Sequence, residues 1–254
     1  MSSPEFGSRS FDVVVIGSAN LDLVATVEHL AAPGETVIAS GYAEHAGGKG
    51  LNQAVACSRS GARTAFIGCL GRDGAGDILR GVLADEGIRD FAVDTNVPTG
   101  RALISVDEQA ENSIVVVPGA NHHLGIGVVD ELTPGLLALC DVIVPNQTEV
   151  AQLGGTDALL DAGVSTVVVT LGARGIRVVT RDGAVEIPPY AVRAVDTTGA
   201  GDAACGALAA SFAKGTDMIT SARRAAAAGA LAATRHGAVP SLPTFEQIDA
   251  LVER

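Results

Sequence analysis

The chain has 254 residues, 47% of them hydrophobic and 3% aromatic, with a formal net charge of −12. That length supports one sizeable α/β core, and the acidic balance argues against nucleic acid or an anionic membrane as a partner. The most apolar run, Ala225 to Ala233, is alanine-rich, too short to span a bilayer and flanked by arginine.

Residues 1–10 are small and polar, and are read as an artificial leader outside the fold. Val13 to Ile16 follows as a continuous apolar strand of the kind buried on both faces. Leu23 to Val27 and Glu35 to Ser40 alternate in the manner of half-buried strands. Ala54 to Ser60 has helical spacing, Thr64 to Ile67 is a second buried strand, and Gly76 to Glu86 is a second helix. Ala102 to Asp107 and Asn112 to Val117 alternate again across the turn 108–111. Val142 to Val144, Thr166 to Val169 and Ile176 to Val179 supply further strands, and Thr148 to Leu153 a helix. The last segments are a β-patterned Val192 to Val195 and an alanine-rich helix from Ala203 to Lys214. Strands alternating with helices predict a mostly parallel sheet covered by helices. The cysteines Cys57, Cys69, Cys140 and Cys205 show neither metal spacing nor disulfide density, and are read as reduced core residues of a cytoplasmic protein.

Two glycine-rich helix starts stand out. The run Asp196-Thr-Thr-Gly199-Ala200-Gly201-Asp202 opens the Ala203 helix, where unpaired amides and the helix dipole collect anions. A carboxylate ending an anion-binding turn repels a ligand that is only bound, yet it suits a general base beside a transferred phosphoryl group. Asp202 would then deprotonate a substrate hydroxyl while the amides of Gly199, Ala200 and Gly201 stabilise the developing charge. The competing reading is an ordinary helix cap. The second cluster, Gly47-Gly48-Lys49-Gly50-Leu51-Asn52-Gln53-Ala54, also leads into a helix. Neither cluster fits a P-loop or a dinucleotide fingerprint.

Together GGKGLNQA and DTTGAGDAACGA resemble the two signatures of the ribokinase-like (PfkB) carbohydrate kinases. The likeness extends through Val13 to Asp22, Pro33 to Thr36, Gly68 to Gly74, Thr99 to Ala102, Pro118 to Asn121, Pro145 to Glu149, Thr170 to Gly175 and Thr234 to Ser241. It implies a single three-layer ribokinase-like domain over residues 11–254, with a mostly parallel central sheet flanked by helices. It also implies a small β-sheet lid, with strands within 23–46 and 100–118, that pairs with its twin in a homodimer. The implied reaction is ATP-dependent phosphorylation of a sugar, D-ribose at its 5-hydroxyl, with another sugar or a nucleoside as alternative acceptor.

Carried onto this sequence, the resemblance places the sugar against Asn20, Asp22, Gly47, Gly48, Lys49 and Asn52, with Asp202 as base. Asn20 and Asp22 could otherwise be a polar turn after a strand, and Lys49 a solvated loop lysine. The nucleotide falls to Asn146, Thr170, Gly172, Gly175 and Gly201. Glu149 is implied to hold Mg2+ through water, although Asn146 and Glu149 also have the spacing of a capping box. Val195, Asp196 and Thr198, with carbonyls from Gly237 to Ser241, are implied to hold K+, Asp196 having a rival role as a plain turn carboxylate.

The sequence departs from the family in three places. Between Asn121 and Pro145 it is short by a strand, a helix and a strand, and nothing in Leu124 to Leu139 replaces the family's sugar-contacting glutamate or its Asn-Pro-Ala-Pro-like strand end. Losing an inner strand exposes apolar sheet edges, so the gap is read as residues that the natural chain has and this sequence lacks, with a true deletion, leaving a catalytically inactive sugar-binding relative, as the rival reading. The connection after Gly154-Gly155 is abbreviated, and Ala226 stands where many relatives have a polar residue.

Overall fold

The computed structural model describes residues 11–109, 111–124 and 137–253. Residues 1–10, and most of the short connection between Asn121 and Pro145, lie outside the described residues. The chain divides into two units, one of residues up to 58 with 62–126, the other of 59–61 with residues from 127 onward.

The first unit runs β1 (Val13–Ile16), β2 (Asn20–Thr26), β3 (Gly41–Gly47), α1 (Lys49–Arg59), β4 (Thr64–Ile67), β5 (Cys69–Gly71), α2 (Gly74–Asp85), β6 (Arg89–Asp90), β7 (Val93–Thr95), β8 (Gly100–Val106) and β9 (Asn112–Val117). It ends in a 3-10 turn at Gly119–Leu124. β1, β4 and β6 form a parallel sheet in that order, with Val13 opposite Thr64 and Ala65 opposite Arg89. β4 carries Ala65 and Phe66, fully buried as are Leu51 and Val55 of α1 and Leu79 of α2, and its one polar residue, the buried Thr64, donates its hydroxyl to the Ala62 carbonyl at 3.1 Å. Asp73 fixes the start of α2. Its carboxylate accepts from the Gly76 amide at 2.9 Å and from the Thr99 hydroxyl, which ties the helix to the entry of β8.

The segments expected to form a lid make a four-stranded sheet in the order β3–β2–β8–β9, with Asn20 opposite both Gly47 and Gly100. The hairpin expected from Ala102 to Val117 is present as antiparallel β8 and β9. The partner expected at Glu35 to Ser40 is displaced to Gly41–Gly47. Pro33 and Gly34 turn the chain, Ile38 is 88% exposed, and ladder pairing begins only where the Ser40 amide meets the Thr26 carbonyl at 2.8 Å.

The second unit contains β10 (Val142–Ile143), α3 (Gln147–Gln152), α4 (Thr156–Asp161), β11 (Thr166–Thr170), β12 (Ile176–Thr180), β13 (Gly183–Ile187), α5 (Ala200–Ala213), α6 (Met218–Ala232) and α7 (Phe245–Val252). Its sheet runs β10–β11–β12–β13. β10 and β11 are parallel, whereas β12 and β13 turn back as antiparallel strands joined by a short turn. β11 shows why its sequence lacks alternation. Val168 packs with Leu208 and Ala222 of α5 and α6, while Val167 and Val169 pack with Leu159 and Leu160 of α4, so helices cover both faces.

The stretch Val192 to Val195 is not a strand: the amides of Val195 and Asp196 both donate to the Ala233 carbonyl after α6, leaving Val195 half exposed. Among the described residues β1 pairs with β4 alone, and Val14 and Ile16 are 51% and 55% exposed. β1, expected to be buried on both faces, therefore leaves alternate apolar side chains exposed. All four cysteines are free thiols; Cys57 and Cys69 are buried, whereas Cys140 and Cys205, also expected in the core, are only half-buried. No helix among the described residues is long and apolar enough to cross a membrane.

Candidate active site

In the first unit the turn from β1 to β2 lies against the start of α1. A Cβ on Gly50 would come within 2.6 Å of the Gly17 carbonyl carbon, and the Leu51 amide donates to the Ser18 carbonyl at 3.0 Å. Gly48 holds φ at +90°, and a Cβ there would meet Ala19 and Asn20 backbone at 2.8–2.9 Å. Gly47 is buried, and a Cβ on it would fall on the Asp22 carboxylate. The glycines of the first motif thus let α1 begin directly beside the residues that open β2. Asn20 and Asn52 are buried, Asp22 is half-buried and Lys49 is exposed at the first position of α1. Burial pushes the Asp22 carboxyl up to about 6.

Asn121 belongs to the same cluster, and the sequence alone assigns it no role. Its amide donates to the Asn20 Oδ1 at 2.8 Å and to the Ala19 carbonyl at 3.1 Å, and its Oδ1 accepts from the Ala19 amide at 3.0 Å. This clamp fixes the Asn20 rotamer. A Cβ on Gly100 would collide with both asparagines, which is why glycine opens β8. The signal is present in Pro118-Gly-Ala-Asn121, but a polar residue after a strand does not itself reveal what it holds.

In the second unit a cavity of about 630 Å3 gathers all five residues expected to meet a nucleotide: Asn146, Thr170, Gly172, Gly175 and Gly201. Asn146 and Thr170 sit side by side through a parallel bridge, with the Thr170 amide on the Pro145 carbonyl at 2.9 Å. Asn146 caps α3, its Oδ1 accepting from the Thr148 and Glu149 amides, while the Glu149 carboxylate accepts from the Asn146 amide at 2.8 Å. The capping box is therefore real, and it holds the one carboxylate expected near a divalent cation beside the cavity wall. Among the described residues no three His, Cys, Asp or Glu side chains converge as a metal cluster. That donor set fits an ion held largely by phosphates and water rather than a protein cage.

Gly199 caps α5 with φ at +76°, placing Gly201 and Asp202 in the first turn. The Ala200 amide donates to the Thr197 carbonyl at 3.2 Å and so closes the turn. Asp202 is half-buried there. Asp196 binds two loops together: its carboxylate accepts from the Thr198 amide at 2.9 Å and the Gly237 amide at 2.8 Å. Burial raises its pKa, but these hydrogen bonds outweigh burial and hold it below the usual carboxylate value. Ser241, almost fully buried, donates to the Ala238 carbonyl at 2.8 Å, and Arg59 donates to the Val239 and Leu242 carbonyls at 2.8 Å each. Asp196, Thr198, Gly237 and Ser241 therefore share one cross-tied pair of loops.

The profile of the pfkB family carbohydrate kinases matches residues 10–126 and 129–245. The chain belongs to that family. This kinase is 33% identical to the ribokinase of Haemophilus influenzae, across 92% of its own length and 96% of the relative's. It superimposes on the ribokinase of Thermotoga maritima with a TM-score of 0.88 at 28% identity, covering 95% and 99% of the two chains. The ribokinase of Arabidopsis thaliana complexed with ribose and ATP gives a TM-score of 0.82 at 28% identity, covering 95% and 98%. The kinase is thus a ribokinase-type phosphotransferase acting on a hydroxyl group. The Haemophilus comparison extends over 294 residues against 92% of a 254-residue chain, so the relative carries residues with no counterpart in this kinase.

Proposed function

We propose that the enzyme phosphorylates D-ribose at its 5-hydroxyl with Mg-ATP, giving D-ribose 5-phosphate and ADP. The observation that carries this reading is the convergence of Asn146, Thr170, Gly172, Gly175 and Gly201 on one cavity whose wall includes the starts of two helices, α3 and α5. The ribose complex of the Arabidopsis relative supports the choice of acceptor. Asn20, clamped by Asn121, with Asp22, Lys49 and Asn52, would hold the sugar hydroxyls, and Gly47 and Gly48 would let it approach the backbone. Asp202 takes the proton from the 5-hydroxyl, and the amides at Gly199 and Gly201, in the turn closed by Ala200, stabilise the phosphoryl charge. Glu149 would position Mg2+, which neutralises phosphate charge. ADP formation that depends on ribose, with the product identified as the 5-phosphate, tests the reading. A folded protein that binds ribose without turnover would favour the sugar-binding alternative, for which the exposed β1 edge speaks.

The raised Asp22 pKa gives this reading a pH signature. Sugar hydroxyls donate to the carboxylate, so ribose binds more tightly as pH rises through about 6. A raised pKa also means that ionisation costs the sugar-free fold stability above that value. The KM for ribose is therefore expected to fall between pH 5 and pH 7, and ribose to give its larger thermal shift on the alkaline side. Asp22→Asn flattens both trends, and a wild-type ribose KM that ignores pH would remove Asp22 from the sugar site.

K+ activation is proposed for the loops tied by Asp196, with Thr198, Gly237 and Ser241 around the ion. The two loops are already held together by hydrogen bonds to one carboxylate, as a cation site lined by carbonyls requires. Replacing K+ by a large organic cation is expected to lower kcat, and an unchanged rate would exclude the site. A homodimer through the β3–β2–β8–β9 sheet, acting as the lid, is proposed because Ile114 to Val117 of the edge strand β9 are all about half exposed. Light scattering that finds only monomer would dismiss it. We place the enzyme in the cytoplasm, where ATP is available and its four thiols stay reduced, and cell fractionation tests this.

A further inference from the structure

The cavity of the second unit is uneven in its chemistry. Asn146, Gln147 and Thr148 line it from the start of α3, and Thr197 and Gly201 from the start of α5. The rest of its wall includes Ile176, Tyr190 and Val192, together with Ala226, Gly229 and Ala230 of α6, and several more alanines. Among the described residues no charged side chain lines it. The small residues of α6 have a packing cause, since a Cβ on Gly229 would stand 3.1 Å from the Ala200 carbonyl oxygen at the start of α5. The same helix face that seats α6 on α5 therefore presents methyl groups and backbone, and no polar side chain, to the cavity. In that part of the wall only the hydroxyls of Tyr190 and of Thr170, at the end of β11 beside Asn146, can hydrogen-bond through a side chain, and α6 supplies none.

Adenine and hypoxanthine have the same outline. They differ in a 6-amino donor against a 6-oxo acceptor, and in the proton on N1. An apolar pocket separates such near-isosteres by about 100-fold at most, whereas a pocket that hydrogen-bonds the distinguishing group separates them by about 10^4-fold or more. A polar side chain at position 226 could make that distinction, but Ala226 cannot.

We propose that this wall selects its nucleotide by purine shape and phosphate charge and reads no functional group on the base, so that 6-oxopurine nucleoside triphosphates serve as phosphoryl donors alongside ATP. This rests on the cavity being the donor site of the proposed kinase. The chemistry is unchanged. The bond from the γ-phosphorus to the bridging oxygen breaks as the sugar oxygen bonds to phosphorus, Asp202 takes the hydroxyl proton, and the nucleoside diphosphate leaves with the electron pair.

The test compares ITP with ATP as donor to ribose, beside calorimetric titration of ADP and IDP in the absence of sugar. Both kcat/KM and the diphosphate affinities are expected to agree within about tenfold. An IDP affinity more than about 100-fold below that of ADP overturns the inference. Equal binding of ADP and IDP without transfer from either triphosphate would uphold it and defeat the kinase reading instead. Binding of neither would defeat both. Ala230→Leu, at a half-buried position of the wall, is expected to weaken ADP and IDP by the same factor. Loss of ADP binding alone would show that the base is read there, against the inference.

Discussion

Asp202→Asn is expected to lower kcat by about 10^3-fold to 10^4-fold while leaving the KM for ribose and for ATP within about threefold. Asparagine has almost the same size, and at the first turn of α5 it retains a hydrogen-bonding side chain, so the helix and the cavity beside it persist. What it loses is the ability to accept a proton as the phosphoryl group departs. A helix-terminal carboxylate does contribute through the dipole, by about 0.3–1 kcal/mol. That effect lowers stability, not turnover, so thermal denaturation run beside the kinetics separates the two roles. Retention of kcat within about tenfold would reduce Asp202 to a charge at a helix start and leave the reaction without its base. A parallel rise in both KM values would instead mean that the turn at Gly199 had moved.

The two glycine motifs are the most legible part of the chain because their spacing is dictated by backbone geometry. Gly48 and Gly199 hold positive φ, and Gly47 and Gly50 allow contacts that any side chain would block, so these positions tolerate little variation in the sequence. Strands β1, β4 and β11 are also readable, being short apolar runs bounded at most by threonine, although β1 is half exposed where burial on both faces is expected. The sheet around β2 is harder. The true partner of β2 reads Gly-Tyr-Ala-Glu-His-Ala-Gly, with little hydrophobic alternation, while the more strand-like Glu35 to Ser40 forms no strand and meets β2 only through Ser40. Val192 to Val195 misleads for a related reason: apolar residues there line or flank the cavity of the second unit instead of filling a sheet. The antiparallel return of β12 and β13 is invisible because buried strands carry the same composition in either direction. Asn121 escapes notice because its role lies in a hydrogen bond to Asn20, a hundred positions away in the chain and adjacent only in the fold.

Gly50→Ala and Gly81→Ala are expected to move stability in opposite directions, although both replace a glycine within a helix. Helix propensity alone favours alanine by about 0.8–1 kcal/mol in each case. At Gly81, on the exposed side of α2, nothing lies within 4 Å of the added Cβ, so most of that gain should appear, raising the melting temperature by about 2–3 °C. At Gly50 the added methyl meets Gly17 at 2.6 and 2.7 Å and the Ser18 amide nitrogen at 2.8 Å, all of it backbone. No rotamer change relieves such contacts, so either α1 or the turn from β1 to β2 must shift, at a cost of about 1–3 kcal/mol or more. Asn20 begins β2 only three residues beyond Gly17, so the displacement reaches the residues proposed to hold the sugar. We therefore expect Gly50→Ala to raise the KM for ribose by at least about tenfold with little change in that for ATP, beyond its effect on folding. A Gly50→Ala protein as stable as Gly81→Ala, with an unaltered ribose KM, would show that α1 does not rest on the β1 turn and that the first glycine motif has some other purpose.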